Sequence, residues 1–212
     1  MLNAIFIFLT LIAFGAVHSL LASHGAKVFA QRLLGPNVAS ATYRLLFNVL
    51  AFATLLPELY LVFRLPDREL YRFPAPWDSI ALGLQVLAGA GLLYSVYQMD
   101  AWFFLGLRQL GEPPQLGVRY SIDSTSTPQL VTDGLHRFVR HPLYTTSLMV
   151  LYLASPMSLN WLAFAISCNV YFFAGSIFEE RKLVGEFGAS YRAYQQRVPR
   201  LLPHPWRWFK SA

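Results

Sequence analysis

RHPLY, Arg140–Tyr144, and FEER, Phe178–Arg181, stand at the two ends of one long apolar run in this chain of 212 residues. The run, Leu143 to Phe178, is too long for one membrane span and just long enough for two short ones, since one span takes about 17 to 25 residues. Its middle is interrupted by three residues that favour a turn: Pro156, Ser158 and Asn160. The stretch therefore predicts two helices that return the chain to the side it left and bring both charged ends together.

Three other apolar runs are long enough to cross a bilayer: Leu2 to Ala22, Leu45 to Phe63 and Ser79 to Met99. Only 13% of the residues are charged, against about 25% in an ordinary soluble domain. The first run lacks the basic segment of a signal peptide and exceeds the apolar length of one, so it is expected to stay in the protein. The sequence predicts an all-α integral membrane protein with five transmembrane helices, of which the last two form a helical hairpin.

The basic residues are distributed unevenly about these spans. The net charge is +6, and fourteen of the 17 lysines and arginines fall on one side, which leaves Arg64, Arg68 and Arg72 on the other. Because cytoplasmic loops carry the excess of basic residues, the C-terminus is expected in the cytoplasm and the N-terminus outside. This topology and contact with membrane lipids explain the basic surplus, and no nucleic acid partner is expected.

The chain divides into three regions along its sequence. Residues 1–99 hold three spans, and residues 100–142 form a cytoplasmic loop that opens with an aromatic-rich stretch typical of an interfacial helix. Residues 143–212 hold the hairpin and a C-terminal helical segment, in which Gly188 is expected to end one helix and Ser190 to cap the next. Three aromatic residues near the end of the sequence predict a membrane-surface anchor: Trp206, Trp208 and Phe209.

The charged residues at the hairpin ends have ordinary explanations when they are taken singly. Arg140 and His141 would snorkel to lipid headgroups. Pro142 would start a helix, and Glu179 and Glu180 would form a solvated helix end. Two adjacent carboxylates are nevertheless the wrong charge for an anionic leaflet, and they face a cationic cluster. The combination predicts a site for a zwitterionic ligand with a cationic centre.

Other polar residues within the spans invite less attention. A hydrogen bond between helices explains Gln85, whereas for His18 a functional role and such a bond are equally open. The one cysteine, Cys168, lies in an apolar span, so neither a disulfide framework nor a cysteine metal site is available.

Two longer motifs contain the charged clusters. Gly134–Tyr144 reads GLHRFVRHPLY, and Glu179–Pro203 reads EERKLVGEFGASYRAYQQRVPRLLP. Together they resemble the C-terminal half of the isoprenylcysteine carboxyl methyltransferase and phospholipid methyltransferase superfamily of integral membrane enzymes. R-H-P-x-Y alone is weak, but its joint spacing with E-E-x-x-L, F-G, Y-x-x-Y and V-P is specific.

The resemblance implies a methyltransferase whose cofactor, S-adenosylmethionine, is bound by the last two spans, the preceding loop and the C-terminal segment. The residues that it places at the cofactor are His141, Pro142, Tyr144 and Glu180. Arg140 and Glu179 would lie near the cofactor or at the transfer site as catalytic residues. No metal is implied, because methyl transfer needs mainly positioning and the exclusion of water.

Shorter motifs in the N-terminal half narrow the resemblance. Val17–Lys27, Ala41–Asn48 and Met99–Gln109 are similar to the bacterial methanethiol S-methyltransferases and their relatives, which implies a bacterial inner membrane protein. On that resemblance five residues line the substrate side of the site: His18, Tyr43, Arg44, Asp100 and Arg108.

These patterns favour S-methylation of a small or lipophilic thiol. A thiol must lose its proton, so such an enzyme is expected to gain activity as the pH rises. Within the same class, the alternative acceptors are a prenylcysteine carboxylate and a phospholipid amine. The alternative of another class is a non-catalytic membrane protein that uses the fold for binding or assembly. A transporter is disfavoured, because the sequence shows neither a line of charges through the spans nor an internal repeat.

Overall fold

Long helices dominate the protein, which is described by a computed structural model over residues 1–111 and 130–203. Four helices are long and apolar enough to cross a membrane: α1 (Leu2–Ala22), α3 (Pro36–Arg64), α4 (Trp77–Gln98) and α8 (Leu159–Phe187). Each contains one of the apolar runs or part of one. The predicted anchor at Trp206, Trp208 and Phe209 lies outside the described residues, as does the loop over residues 112–129.

Shorter elements connect these four helices. The helical ones are α2 (His24–Leu34), α5 (Ala101–Leu105), α6 (Arg108–Gly111), α7 (Pro142–Tyr152), α9 (Ala189–Arg197) and one 3-10 turn (Gly134–Arg137). Two short antiparallel strands, β1 (Glu69–Tyr71) and β2 (Met157–Ser158), pair Glu69 with Ser158 and Tyr71 with Met157.

The apolar run that follows RHPLY becomes α7 and α8. With 11 residues, α7 is about 16 Å long and does not by itself cross a hydrocarbon core of about 30 Å. The Nδ2 of Asn169 in α8 donates to the hydroxyl of Tyr152 at 3.3 Å, and the rings of Tyr144 and Phe172 stack 4.9 Å apart. The two helices therefore make contact, while a fifth span and a hairpin across the membrane stay predictions.

The described residues form two compact units. Residues 1–68, 96–111 and 159–167 belong to the first unit, and residues 69–95, 130–158 and 168–203 belong to the second. The three regions expected along the chain remain a prediction.

In the first unit, α1 packs through one face and through polar side chains. Its buried residues recur at helical spacing: Ala4, Ile7, Leu11 and Gly15. The hydroxyl of Thr10 donates to Glu58 Oε2 at 2.8 Å, and Tyr43 donates to the carbonyl of Leu21 at 2.5 Å. Such bonds between α1 and α3 satisfy groups that lipid cannot.

The beginning of α8 also belongs to the first unit. Asp67 Oδ1 accepts from the backbone N–H of Asn160 at 3.0 Å, and the carbonyl of Arg68 accepts from Leu159 at 2.9 Å. These contacts satisfy N–H groups that a helix start leaves unpaired. Asn160, which was expected to interrupt the run, is therefore buried in the first turn of α8, and the break falls before it, at Pro156 and Ser158.

In the second unit, α4 packs closely on α7. Gln85 Nε2 donates to the carbonyl of Val150 at 2.8 Å, which confirms the expected hydrogen bond between helices. A Cβ on Gly91 would lie 3.0 Å from Thr146 Cγ2, so the small residue allows close packing here.

The aromatic-rich stretch after α4 forms two short helices instead of one interfacial helix. It breaks at Gly106, whose φ is +87° and which lies against the backbone of Arg44 and Leu45 in α3. The carbonyl of Phe104 accepts from Arg44 Nε at 3.2 Å and from Asn48 Nδ2 at 2.8 Å. The stretch is thus fastened to α3 within the first unit.

Gly106→Ala is expected to lower the melting temperature of the purified protein in detergent. A side chain at this φ costs about 1–2 kcal/mol, and the new Cβ would lie 2.4 Å from Leu45 N. Gly89→Ala is the control, because its Cβ would meet nothing within 4 Å and alanine favours a helix interior by about 0.5–1 kcal/mol. Equal melting temperatures for Gly106→Ala and the parent would contradict the close approach.

Candidate functional site

The second unit joins the RHPLY segment to the last described residues. The backbone N–H of Arg140 donates to the carbonyl of Pro199 at 2.8 Å, and that of His141 donates to the carbonyl of Arg200 at 3.2 Å. The hydroxyl of Thr145 donates to the carbonyl of Leu201 at 2.7 Å. These bonds hold the chain after α9 alongside the beginning of α7.

The Glu180 carboxylate is the centre of this region, and its side chain is 5% exposed. Its Oε1 accepts from Arg140 Nε at 2.8 Å and from Arg200 Nε at 3.3 Å, and lies 3.1 Å from His141 Nε2. Its Oε2 accepts from Arg140 Nη2 at 3.2 Å, Gln195 Nε2 at 2.9 Å and Arg200 Nη2 at 3.2 Å. A carboxylate offers about four lone-pair positions, so these contacts occupy all of them.

The guanidinium of Arg140 likewise donates its hydrogen bonds to protein atoms. Besides its paired bonds to Glu180, its Nη1 donates to the carbonyls of Gln195 at 2.9 Å and Val198 at 2.6 Å. These carbonyls lie at the end of α9, where a helix leaves acceptors unpaired and favours a positive charge. Arg140 thus ties α8, α9 and the following residues together, and its expected role at a transfer site stays a prediction.

The structure brings the two predicted charged stretches together, but it also adds residues that the sequence did not indicate. Gln195 and Arg200 lie 15 and 20 residues after Glu180, a separation that gives no local periodic signal. Gly188 ends α8 as predicted, with φ at +55°. The expected cap at Ser190 is wrong, because Gly188 itself precedes α9 and makes no side-chain cap.

Glu179 differs from its neighbour because α8 continues through both residues, and successive helical side chains point in different directions. The Glu179 side chain is 44% exposed. Its Oε2 accepts from the Tyr144 hydroxyl at 3.2 Å and lies 3.4 Å from His141 Nδ1. Its Oε1 makes no hydrogen bond with any residue that the structure describes. Within residues 1–111 and 130–203, one carboxylate oxygen of Glu179 is therefore left without a hydrogen-bond partner.

Aromatic rings stand beside this carboxylate. The His141 and Tyr144 rings stack with centroids 5.4 Å apart, and the Tyr144 and Phe172 rings stack at 4.9 Å, with planes inclined by 9° and 6°. The predicted proline, Pro142, is buried and begins α7, which matches its ordinary role. Aromatic faces next to a free carboxylate oxygen favour a cationic ligand.

The surroundings of His141 favour its positively charged form. Burial lowers the pKa of His141, but the hydrogen bonds to Glu179 and Glu180 and the charges of these carboxylates outweigh it, so the pKa is raised above its ordinary value. Its Nδ1 lies 3.4 Å from Glu179 Oε2 and its Nε2 lies 3.1 Å from Glu180 Oε1, so both ring nitrogens face carboxylates. His141 is therefore unsuited to act as a general base.

His136, in the 3-10 turn, lies in a contrasting environment and was not among the predicted residues. Its carbonyl accepts from the Tyr194 hydroxyl at 2.6 Å, while its Nδ1 is buried and meets no hydrogen-bond partner within the described ranges. Burial and the charge of His141 lower its pKa, against opposing effects of Asp133 and Glu179. The ring is neutral near neutral pH, and no sequence pattern distinguishes it.

Three of the predicted substrate-side residues lie around α5 and α6, in the first unit. Asp100 Oδ2 and Arg108 Nη1 form an ion pair at 2.5 Å. The Arg44 guanidinium lies 4.5 Å from the centroid of the Phe103 ring. These contacts hold the stretch after α4, and a role toward substrate stays a prediction for all three.

The other two lie on α1 and α3, also in the first unit. The His18 ring lies 4.4 Å from that of Phe47, and Tyr43 makes the bond to Leu21 described above. Both residues join helices, and their expected place beside substrate is likewise a prediction.

Several curated proteins are similar to this chain over most of its length. Methanethiol S-methyltransferase 1 of Bradyrhizobium diazoefficiens is 30% identical over 209 residues, which cover 97% of this chain and 68% of the relative. The methanethiol S-methyltransferase of Mycobacterium tuberculosis is 31% identical over 201 residues, covering 92% and 75%. The protein-S-isoprenylcysteine O-methyltransferase of Schizosaccharomyces pombe is 34% identical over 122 residues, covering 52% and 51%.

No family model matches the chain, and no solved structure matches it significantly. The two methanethiol S-methyltransferases nevertheless show the family, because their similarity extends over 97% and 92% of this chain, and thus over both charged motifs. The chain belongs to the family of membrane methyltransferases that contains the methanethiol S-methyltransferases, and it is a methyltransferase.

Proposed function

We propose that this enzyme takes its methyl group from S-adenosylmethionine and transfers it to the sulfur of a small or lipophilic thiol. The observation that carries the acceptor class is that the relatives matching nearly the whole chain are named for methanethiol. The relative named for isoprenylcysteine matches only 52% of the chain. A prenylcysteine carboxylate and a phospholipid amine are therefore the secondary candidates.

The surroundings of Glu179 fit this cofactor. S-adenosylmethionine supplies an electrophilic methyl group on a positively charged sulfur, and it also carries an amino group and ribose hydroxyls. The free Oε1 of Glu179 suits an ammonium or hydroxyl donor, since charge-assisted hydrogen bonds are the stronger ones. The stacked rings of Tyr144 and Phe172 form an aromatic wall beside this oxygen, which suits a sulfonium.

The proposed roles divide the two glutamates. Glu179, Tyr144 and His141 face the cofactor, with Pro142 setting the direction of α7. Glu180 was expected at the cofactor from the resemblance, but it would reach a ligand only by giving up contacts that occupy both oxygens. We assign Glu180 and Arg140 to holding this arrangement.

The same proposal includes the topology. The uneven distribution of basic residues supports a C-terminus in the cytoplasm, an N-terminus outside and a fifth span built around α7, in a bacterial inner membrane. The cofactor then reaches Glu179 from the cytoplasm. An alkaline phosphatase fused to the C-terminus is expected to be inactive, and an active fusion would reverse the orientation.

Purified protein in detergent is expected to transfer labelled methyl from S-adenosylmethionine to methanethiol. Hexanethiol, farnesylcysteine with a free carboxylate and phosphatidylethanolamine complete the panel of acceptors. Thiols are expected to give labelled thioether with rates that rise with pH, because the thiolate is the nucleophile. If farnesylcysteine or the lipid amine were labelled and no thiol gave a labelled thioether, the thiol would be wrong as the proposed acceptor.

Glu179→Gln is expected to weaken the binding of S-adenosylmethionine by about 10-fold or more, since a hydrogen bond to a charged group contributes about 1.5–3 kcal/mol. The melting temperature of the free protein should change little, because the side chain is 44% exposed. Isothermal titration calorimetry in detergent measures the affinity. Glu186→Gln, an exposed position on the same helix, is the matched control, and equal affinities for both variants would remove Glu179 from the site.

Glu180→Gln is expected to lower the melting temperature strongly. Removing one partner from a buried ionic cluster costs about 3–5 kcal/mol, and Arg140 and Arg200 would both lose their carboxylate. Limited proteolysis after α9 should become faster than in Glu186→Gln. A variant with the parent's melting temperature but no affinity for S-adenosylmethionine would show instead that Glu180 contacts the cofactor directly.

A further inference from the structure

A thiol acceptor requires a base, and this inference rests on the proposed thiol. A cysteine-like thiol has a pKa of about 8.5, so most of it is protonated at neutral pH. Carboxylates face both ring nitrogens of His141, so neither nitrogen is open to a thiol. The proton must therefore pass to another group.

His136 differs from His141 because no carboxylate is bonded to its Nδ1 among the described residues. Its Nδ1 is buried without a hydrogen-bond partner among the described residues, and such an atom costs about 1–3 kcal/mol if no bound group meets it. The backbone of His136 is held on both sides: its backbone N–H donates to the carbonyl of Asp133 at 3.0 Å, and its carbonyl accepts from the Tyr194 hydroxyl at 2.6 Å. A buried imidazole nitrogen that no described residue bonds is suited to proton abstraction.

We propose that His136 is the catalytic base and that its Nδ1 takes the proton of the acceptor thiol. As the proton moves to Nδ1, the electron pair of the acceptor sulfur forms the bond to the methyl carbon. The pair of the broken carbon–sulfonium bond stays on the departing sulfur. The products are a methyl thioether, neutral S-adenosylhomocysteine and a protonated His136, which returns its proton to water.

The groups around His136 set its pH dependence. The positive His141 opposes protonation of the ring, while Asp133 and Glu179 favour it, and Tyr194 meets only its carbonyl. Burial and His141 prevail and hold the pKa of His136 below its ordinary 6.5. A lowered pKa means that the base is available above it, so kcat/KM for a thiol rises as the pH passes upward through that pKa.

The test compares two acceptors that differ in acidity, an alkanethiol and an acidic aryl thiol, in parent, His136→Asn and His24→Asn. His24 is an exposed histidine of α2 and serves as the control. His136→Asn is expected to lower kcat/KM for the alkanethiol by about 100-fold or more, because a positioned base contributes about 10²–10⁴-fold. The loss for the aryl thiol should be much smaller, since it is already ionised. The affinity of the His136→Asn variant for S-adenosylhomocysteine should equal that of the parent.

A second measurement does not depend on turnover. Histidine ring signals in the NMR spectrum, assigned by the two variants, should show His136 titrating below 6.5 in the free protein. Adding the alkanethiol with S-adenosylhomocysteine should raise this pKa, because a thiolate then faces the ring. A pKa of His136 that stays the same when the thiol is added would overturn the inference.

The kinetic outcomes separate this inference from the proposed function. If His136→Asn lowered kcat/KM equally for both thiols, or weakened the binding of S-adenosylhomocysteine, His136 would have a structural or cofactor-binding role. Either result would overturn this inference and leave the proposed function standing. A parent enzyme that methylates no thiol would overturn the proposed acceptor, and the inference with it.

Discussion

A buried carboxylate surrounded by cations organises the second unit. Glu180 joins α8 to Arg140 and His141 at the beginning of α7, to Gln195 in α9 and to Arg200 beyond it. Ions removed from water are costly unless each finds partners, and here every oxygen does. The carboxylate thereby fixes elements that are distant in sequence, and the geometry of the neighbouring side chains depends on it.

The chemistry of the site follows from that constraint. Because Glu180 binds one nitrogen of His141, the ring is fixed so that its other nitrogen faces Glu179. The ring lies beside Glu179 and stacks on Tyr144, while Glu179 Oε1 bonds to none of the described residues. The charge of His141 also opposes protonation of His136. Two histidines five positions apart thus have pKa values displaced in opposite directions: burial and the charge of His141 lower that of His136, and the two carboxylates raise that of His141.

The sequence predicted the larger features for clear physical reasons. Apolar length identified α1, α3, α4 and α8, and the turn residues at Pro156 and Ser158 marked the break before α8. The meeting of RHPLY with the Glu179 and Glu180 pair was also predictable, because the long apolar run had to turn. Membership of a methyltransferase family followed from motif spacing and is supported by relatives that match more than 90% of this chain.

Finer features depended on tertiary contacts, which produce no periodic pattern in the sequence. The two glutamates look alike in sequence, and only the helical continuation of α8 turns one inward and leaves the other half exposed. Arg200 enters the site through backbone pairing of residues 199 and 200 with RHPLY. Gly106 divides the aromatic stretch because α3 approaches its backbone, a contact that propensity alone does not reveal.

The most direct test is an experimental structure of the protein with S-adenosylhomocysteine. The ligand is expected beside Tyr144 and within hydrogen-bonding distance of Glu179, about 2.6–3.2 Å, while Glu180 keeps its bonds to Arg140 and Arg200. A ligand bound directly to Glu180 with Arg140 displaced, or bound away from α7 and α8, would contradict the division between a cofactor-facing and a structural glutamate.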